Sequence, residues 1–302
     1  MLIDIICFVS LFSVYPLYTV NMASLDKQMQ DEIKPLDLRF DEDEIEERVD
    51  HLTEFIEEQV DSAGVDGALI ALSGGVDSTA TAYLAVEALG TDAVHGLILP
   101  KKVNKEENMS DAERVAEDLG ISYDVLEIDS IVNEFLDVYD ADTTDESEGE
   151  WAGRYVGNTS ARVRMTLNYL VGNDENKLVL GTGNRAELMT GYVTKFGDGG
   201  VDCNPLGNLY KQQVRQVATY LGVDEAIVQK TPTGGMVDYG TDEEEFGVGY
   251  NTLDAVLALH IDGGVPASTT ARLTDTSQDD LDNIKQMYEQ SEHKRSPPTT
   301  PK

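Results

Sequence analysis

Cysteine, histidine and positive charge are all scarce in this chain. Its 302 residues include two cysteines, Cys7 and Cys203, which build neither a disulfide framework nor a zinc-ligand spacing, so a reducing cytoplasm is the expected location. Four histidines occur, His51, His95, His260 and His293, and no two stand at metal-ligand spacing, which argues against a histidine-based metal site. Lysine and arginine number 22 against 57 acidic residues, a net charge of −35. Such a surface repels nucleic acid and anionic membranes, so neither is an expected partner. The acid excess comes with an apolar fraction of 41% and clear periodicity, which fits a folded, halophilic protein whose self-repulsion is screened by salt better than a disordered one.

The apolar run over residues 2–20 lacks the basic flank that a signal peptide or anchor carries, and Asp4 interrupts it. It reads as an upstream start misassigned ahead of Met22, with a real anchor as the alternative. Residues 1–40 are expected to be an N-terminal segment, disordered or partly that misassigned start, and residues 41–298 to be one domain with a full core. No internal repeat or linker divides the chain.

Ile45, Val49, Leu52, Ile56 and Val60 recur at spacings of three and four, marking an amphipathic helix whose acidic side faces water. Apolar runs at 68–72, 94–100, 123–128 and 177–181 read as strands, and helices are expected over 79–89, 158–170, 209–221, 243–260 and 279–289. A capping box, Ser110 with Glu113, is expected to open a further helix ended by Gly120. Strands alternating with helices imply right-handed crossovers and an α/β fold: a parallel sheet covered by helices on both faces. The acidic stretch 140–150 has no periodicity and reads as a mobile surface loop.

Ser73-Gly74-Gly75-Val76-Asp77-Ser78 lies between the 68–72 strand and the 79–89 helix. A strand, a tight glycine turn and a helix aim free N–H groups and the positive end of a helix dipole at one point, which suits a phosphate. Ser73 and Ser78 can add hydroxyl donors, and Asp77 offers a hard oxygen suited to Mg²⁺. The lysine and spacing of the ordinary NTPase P-loop are absent. The loop resembles the SGGxDS pyrophosphate loop of the ATP pyrophosphatases, enzymes that cut ATP between the α and β phosphates.

Cations are concentrated further on. Residues 151–230 hold nine basic residues and seven acidic ones, leaving 13 basic and 50 acidic residues for the other 222. Keeping scarce cations in one stretch fits anionic ligands there. The same stretch reads Gly157-Asn158-Thr159-Ser160-Ala161-Arg162-Val163-Arg164-Met165, then Gly181-Thr182-Gly183-Asn184-Arg185-Ala186-Glu187, then Gly191-Tyr192-Val193-Thr194-Lys195-Phe196-Gly197-Asp198 and Asn204-Pro205-Leu206-Gly207-Asn208-Leu209-Tyr210-Lys211. Ser291-Glu292-His293-Lys294-Arg295-Ser296-Pro297-Pro298 follows near the end. With these motifs in this order the chain resembles the ammonia-dependent NAD synthetases of the ATP pyrophosphatase superfamily, from about residue 45 to residue 298. Gly183-Asn184-Arg185 stands where many bacterial relatives have Asp-His-Ala and brings it closer to the archaeal, haloarchaeal-like form.

That resemblance implies a Rossmann-like sheet of the adenine nucleotide alpha hydrolase type. It also implies a reaction in which the carboxylate of deamido-NAD attacks the α phosphorus of ATP and ammonia then displaces AMP. Carried over by position, Ala71, Leu72, Ser73, Gly74, Gly75, Val76, Asp77 and Ser78 form the ATP loop, with Thr182, Lys211 and Thr233 as further ATP contacts. Asp77 and Glu187 match Mg²⁺ ligands; Arg162, Lys195, Asp202, His293 and Lys294 match positions that hold deamido-NAD. Arg162 and Arg164 lie about 200° apart round a helix, so both should not reach one ligand, and the resemblance favours Arg162. It further implies a homodimer and leaves no residue as an obvious general base. Two other readings stay open: another ATP pyrophosphatase-type amide synthetase, and a nucleotide-binding sensor without catalysis.

Overall fold

The computed structural model describes residues 36–101, 106–139, 149–232 and 242–301, all within one unit spanning Pro35–Lys302. The readings made for residues 1–35, for most of the 140–150 loop and for Thr233 fall outside the described residues. In chain order the elements are α1 (Glu42–Ala63), β1 (Ala68–Ala71), α2 (Val76–Leu89), β2 (Val94–Ile98), α3 (Glu106–Leu119), β3 (Ser122–Val125), α4 (Asp129–Tyr139), α5 (Gly149–Asp174) and β4 (Leu178–Leu180). Then follow α6 (Arg185–Thr190), α7 (Lys211–Tyr220), α8 (Glu225–Val228), α9 (Asp242–Phe246), α10 (Tyr250–Val256), α11 (Ala267–Thr274), α12 (Gln278–Gln290) and α13 (Glu292–Arg295). A π-helical turn, Leu257–Asp262, continues α10.

The four strands pair in parallel in the order β3-β2-β1-β4. Alternating residues of each strand enter opposite cores. Ala68, Ile70, Val94 and Ile98 pack under α1, α2, α3 and α7, whereas Leu69, Leu97 and Val179 pack with Val132 of α4 and Val163 of α5 on the other face. Helices thus cover both faces, as the patterning requires of a parallel sheet. A third core of Phe246, Tyr250, Leu253, Leu257, Leu281 and Ile284 joins α9, α10 and α12 beside α6.

The direction of winding positions the site. After β1 the chain moves outward through β2 to β3, then α4 and α5 carry it back to place β4 on the far side of β1. The strand order therefore reverses between β1 and β4, and ligands of open α/β sheets bind outside the carboxyl ends of strands at such a reversal. Residues 73–78 leave β1 there, and residues 181–187 leave β4 there.

Local chemistry explains the element ends. Asp41 accepts from the N–H groups of Asp43 and Glu44 and starts α1, while Gly64, at φ +67°, stops it. Burying Ile45, Val49, Leu52, Ile56 and Val60 along α1 is worth at most about 10 kcal/mol against an extended chain. The Ser110–Glu113 capping box does not open a helix: α3 already begins at Glu106, so Ser110 lies inside it. The 123–128 strand is paired as β3 only to Val125, but Leu126 and Ile128 still donate to Ile98 and Pro100, so the extended path persists to the start of α4. The helix expected over 243–260 is broken between Phe246 and Tyr250, where Gly247 sits at φ +75°.

Candidate active site

The turn after β1 folds on itself through its own hydroxyls. Ser73 Oγ and Ser78 Oγ are 3.0 Å apart, Ser78 Oγ donates to the Gly75 carbonyl at 3.1 Å, and the Ser73 N–H donates to Ser78 Oγ at 3.2 Å. Gly74 takes φ +73°, a conformation that a Cβ disfavours, and this lets the chain reverse into α2. Gly75 caps α2 without a side-chain capping bond, and its own N–H donates to Ser73 Oγ at 3.3 Å. Ala71 ends β1, Leu72 is buried beneath the turn, and Val76 anchors the first turn of α2 in the core.

Asp77, in that first turn, meets the residues delivered by β4. Asn184 donates its amide to Asp77 Oδ1 at 2.9 Å and caps α6 by accepting from the Glu187 N–H at 3.1 Å. Glu187 returns the bond by accepting from the Asn184 N–H at 3.2 Å. Lys211, the first residue of α7, extends its ammonium between the two acids, 2.6 Å from Asp77 Oδ2 and 3.6 Å from Glu187 Oε1. Its side chain is 3% exposed and its ammonium lies 5.0 Å from the Tyr250 ring centroid. Three residues separated by 134 positions therefore converge on one point beside the uncapped helix. Thr182 is half-buried in the loop from β4 that leads to this group.

Behind Lys211, Asp254 accepts from the Gln212 N–H at 3.2 Å and so holds the first turn of α7. Burial pushes its carboxyl up to about 7, a rise limited by those backbone bonds and by the charges of Lys211 and Arg215. Its Oδ1 is buried without a hydrogen bond. On the other flank, Lys230 donates to Asp111 at 2.5 Å and lies 3.5 Å from the Gly74 carbonyl. Arg185 and Tyr210 both donate to Asp262, in the π turn, which ties α6 to that turn.

A second group forms at the other end of α6. Gly191 ends that helix at φ +69°, with the side chain of Ser291 so close that an added Cβ would stand 2.1 Å from it. Lys294 donates to the carbonyls of Gly191 and Val193, at 2.6 and 2.7 Å, and Arg295 donates to that of Met189 at 2.7 Å. Burial lowers the pKa of the Lys294 ammonium, an effect opposed by nearby Asp198. Lys195 donates to the His293 carbonyl at 2.6 Å, and Arg162 to the Lys195 carbonyl at 3.3 Å. The late Ser291–Arg295 motif thus docks on α6, and Arg162, Lys195, His293 and Lys294 come together. Phe196 sits among them at φ +59° with an exposed ring, a conformation rare for a bulky residue.

Asp202 stands in other bonds: Tyr169 donates to its Oδ1 and the Val179 N–H to its Oδ2, both at 2.9 Å, which pins the 201–203 segment beside β4. Arg164 turns away from Arg162, as the helical angle requires, and donates to the Leu99 carbonyl at 3.0 Å. Burial and the neighbouring Asp202 raise the Cys203 thiol to about 11, so it stays protonated and weakly nucleophilic near neutral pH. Asn184, Lys230 and Asp254 are site neighbours that the sequence did not single out. The Asn184-x-x-Glu187 spacing is a capping signature and could have revealed the first; the other two reach the site only through tertiary folding.

Three comparisons bear on this arrangement. The family described as NAD synthase matches residues 48–298. The NH(3)-dependent NAD(+) synthetase of Halobacterium salinarum is 51% identical over 271 residues, which cover 90% of this chain and 98% of that one. Among solved structures, an NMN synthetase from Francisella tularensis superposes with a TM-score of 0.73 at 33% identity, covering 85% of this chain and 98% of that one. An NH3-dependent NAD synthetase from Campylobacter jejuni superposes with a TM-score of 0.69 at 27% identity, covering 85% and 99%.

Proposed function

This chain belongs to the NAD synthase family, and on that premise we propose that it amidates deamido-NAD to NAD with ammonia, consuming ATP and releasing pyrophosphate and AMP. The observation that carries the reading is the convergence of Asp77, Glu187 and Lys211 beside an uncapped helix N-terminus. A nicotinate carboxylate is a poor acyl donor. Its oxygen attacks the α phosphorus, the bond to the β phosphate breaks, and the pyrophosphate carries away the charge that develops. Backbone N–H groups at the start of α2 and the hydroxyls of Ser73 and Ser78 are the groups suited to hold it. Lys211, held between two carboxylates, exchanges those partners for phosphate oxygens when the triphosphate arrives.

The two acids fit Mg²⁺: they already converge on one cation, the Lys211 ammonium, and Mg²⁺ is commonly held by one or two carboxylates plus substrate phosphates. Bound there, the ion supplies neutralisation of the triphosphate's charge. Arg162, Lys195, His293 and Lys294 form the group proposed to receive the dinucleotide, with the exposed Phe196 ring offering a face for a heterocycle. Ammonia then attacks the acyl carbon of the adenylate, the C–O bond to AMP breaks, AMP leaves, and the nitrogen's extra proton passes to water. Ammonia arriving neutral needs no general base to activate it, so catalysis rests on positioning and electrostatics. With Cys203 held protonated, free ammonia is the proposed nitrogen source. A homodimer working in a cytoplasm of high ionic strength completes the proposal.

The test is pyrophosphate release from ATP with deamido-NAD and Mg²⁺, comparing ammonia with glutamine at several salt concentrations. NAD, AMP and pyrophosphate should form in equal amounts with ammonia. Binding of both substrates without turnover would favour a sensor. Because one related structure is an NMN synthetase, the assay is run in parallel on nicotinate mononucleotide. Faster turnover of the mononucleotide would assign that substrate instead.

A further inference from the structure

Away from the carboxyl-end crevice, three elements bring metal-ligating side chains to one spot. His95 is the second residue of β2, Asp124 lies on the edge strand β3, and Glu175 follows the last residue of α5. One ligand atom from each lies within 4.8 Å of the other two. His95 is 5% exposed, whereas the Asp124 and Glu175 side chains are 58% and 32% exposed, so the imidazole is fixed and the acids can adjust.

The ring's two nitrogens are in different situations. Nδ1 lies 3.0 Å from Ser122 Oγ, on the strand residue paired with His95, and 3.5 Å from Glu175 Oε2. Nε2 faces Asp124 Oδ2 at 3.3 Å, yet it is buried without a hydrogen bond. A neutral imidazole has one N–H and one lone pair. With Nδ1–H donated to Ser122, the Nε2 lone pair confronts a carboxylate oxygen. A shared proton would favour an in-line contact. An ion bound by both atoms would not: with bonds of about 2.0–2.2 Å at a tetrahedral angle, nitrogen and oxygen stand about 3.4 Å apart, with the oxygen about 35° off the nitrogen's axis.

We propose that His95, Asp124 and Glu175 form a binding site for a divalent transition ion of the zinc class, separate from the Asp77 and Glu187 pair. Nε2 and an Asp124 oxygen are the ligands already facing each other, Glu175, 32% exposed, swings an oxygen from its place 3.5 Å from Nδ1 to join them, water takes the fourth place, and Ser122 fixes the ring by accepting from Nδ1–H, as second partners of metal-bound histidines commonly do. One nitrogen and two carboxylates suit Zn²⁺ better than Mg²⁺, which prefers an all-oxygen octahedron. Lys177, whose ammonium lies 3.9 Å from Glu175 and donates to the Ala93 carbonyl, is the competing cation. A bound ion ties the edge strand to β2 and to the end of α5, so its role is stabilisation. The sequence hid the site because it needs a single histidine and draws its ligands from positions 95, 124 and 175.

The experiment is Zn²⁺ titration of chelator-stripped protein by calorimetry and by dialysis with elemental analysis, with excess Mg²⁺ to occupy the other carboxylate pair. Wild type should bind one Zn²⁺ per chain under these conditions, and Zn²⁺ should raise its unfolding midpoint. Asp124→Asn, an exposed change that spares the core, should weaken binding at least tenfold, abolish the midpoint shift, and leave amidation turnover unchanged. His95→Gln should match it in both metal readouts. Equal Zn²⁺ binding by wild type and Asp124→Asn, or none by wild type, would overturn the proposal and leave His95 as a side chain flanked by two acids with no ion.

Discussion

Replacing Asp254 with asparagine removes one charge at constant shape from behind Lys211. The carboxyl is buried, one of its oxygens has no hydrogen bond, and its pKa stands at about 7 against an ordinary 3.8. A raised acid is protonated in the folded state where the unfolded chain is already ionised. Its cost is therefore absent below about pH 4, grows as pH rises, and is complete somewhat above pH 7. About three pKa units correspond to about 4 kcal/mol in full, and to about 2–3 kcal/mol across the interval from pH 5 to pH 8. Asparagine keeps an oxygen for the Gln212 N–H and does not titrate. Unfolding of both proteins by denaturant, at pH 5 and pH 8 and one fixed high salt concentration, measures the difference directly. Wild type should lose about 2–3 kcal/mol relative to Asp254→Asn over that interval. Parallel pH dependences in the two proteins would refute the reasoning, because the Asp254 carboxyl would then be as ionised in the fold as out of it.

Asp77→Asn and Glu187→Gln should each lower turnover at least about a hundredfold with circular dichroism and unfolding midpoint nearly unchanged; near-normal turnover in either would remove the metal assignment. Gly191→Ala places a Cβ against Ser291 at a positive φ and should cost about 1–3 kcal/mol. It should also raise the KM for deamido-NAD more than that for ATP, measured by steady-state kinetics. With 57 acids against 22 bases, the unfolding midpoint should climb through a salt series, and a maximum in dilute buffer would contradict the halophilic reading.

What the chain disclosed before folding, and what it withheld, follows from the range of the forces involved. The Ile45 to Val60 spacing and the alternating apolar runs are local signals, so the layers and the parallel sheet were readable from them. The 73–78 turn was also legible, since glycine conformation and hydroxyl placement act within six residues. The spacing within Asn184-Arg185-Ala186-Glu187 was on the page, but that Asn184 ties Glu187 to Asp77, 107 residues earlier, is set by the reversal of strand order. Lys211 shows the same limit: the family resemblance implied a phosphate partner for it, and only the fold shows it clamped between two carboxylates. Helix α4 went unread because the apolar residues running on from the preceding strand, Leu126 and Ile128, resemble a longer strand. The break at Gly247 was a local signal left unread, whereas the π turn with Asp262 follows a helix packed against Leu281 and Ile284 of α12, which no local window contains.

Helix α6 is six residues long, and at 1.5 Å per residue its Glu187 and Gly191 lie about 6 Å apart along its axis. One end of this short rod carries Glu187, beside Lys211 and the proposed triphosphate site, and the other carries the docked tail that bears His293 and Lys294. On the assignment proposed above, a displacement at either end would be delivered to the other, and the two substrates would then be thermodynamically linked. Whatever factor ATP adds to the dinucleotide's affinity, the dinucleotide must return to ATP in equal measure.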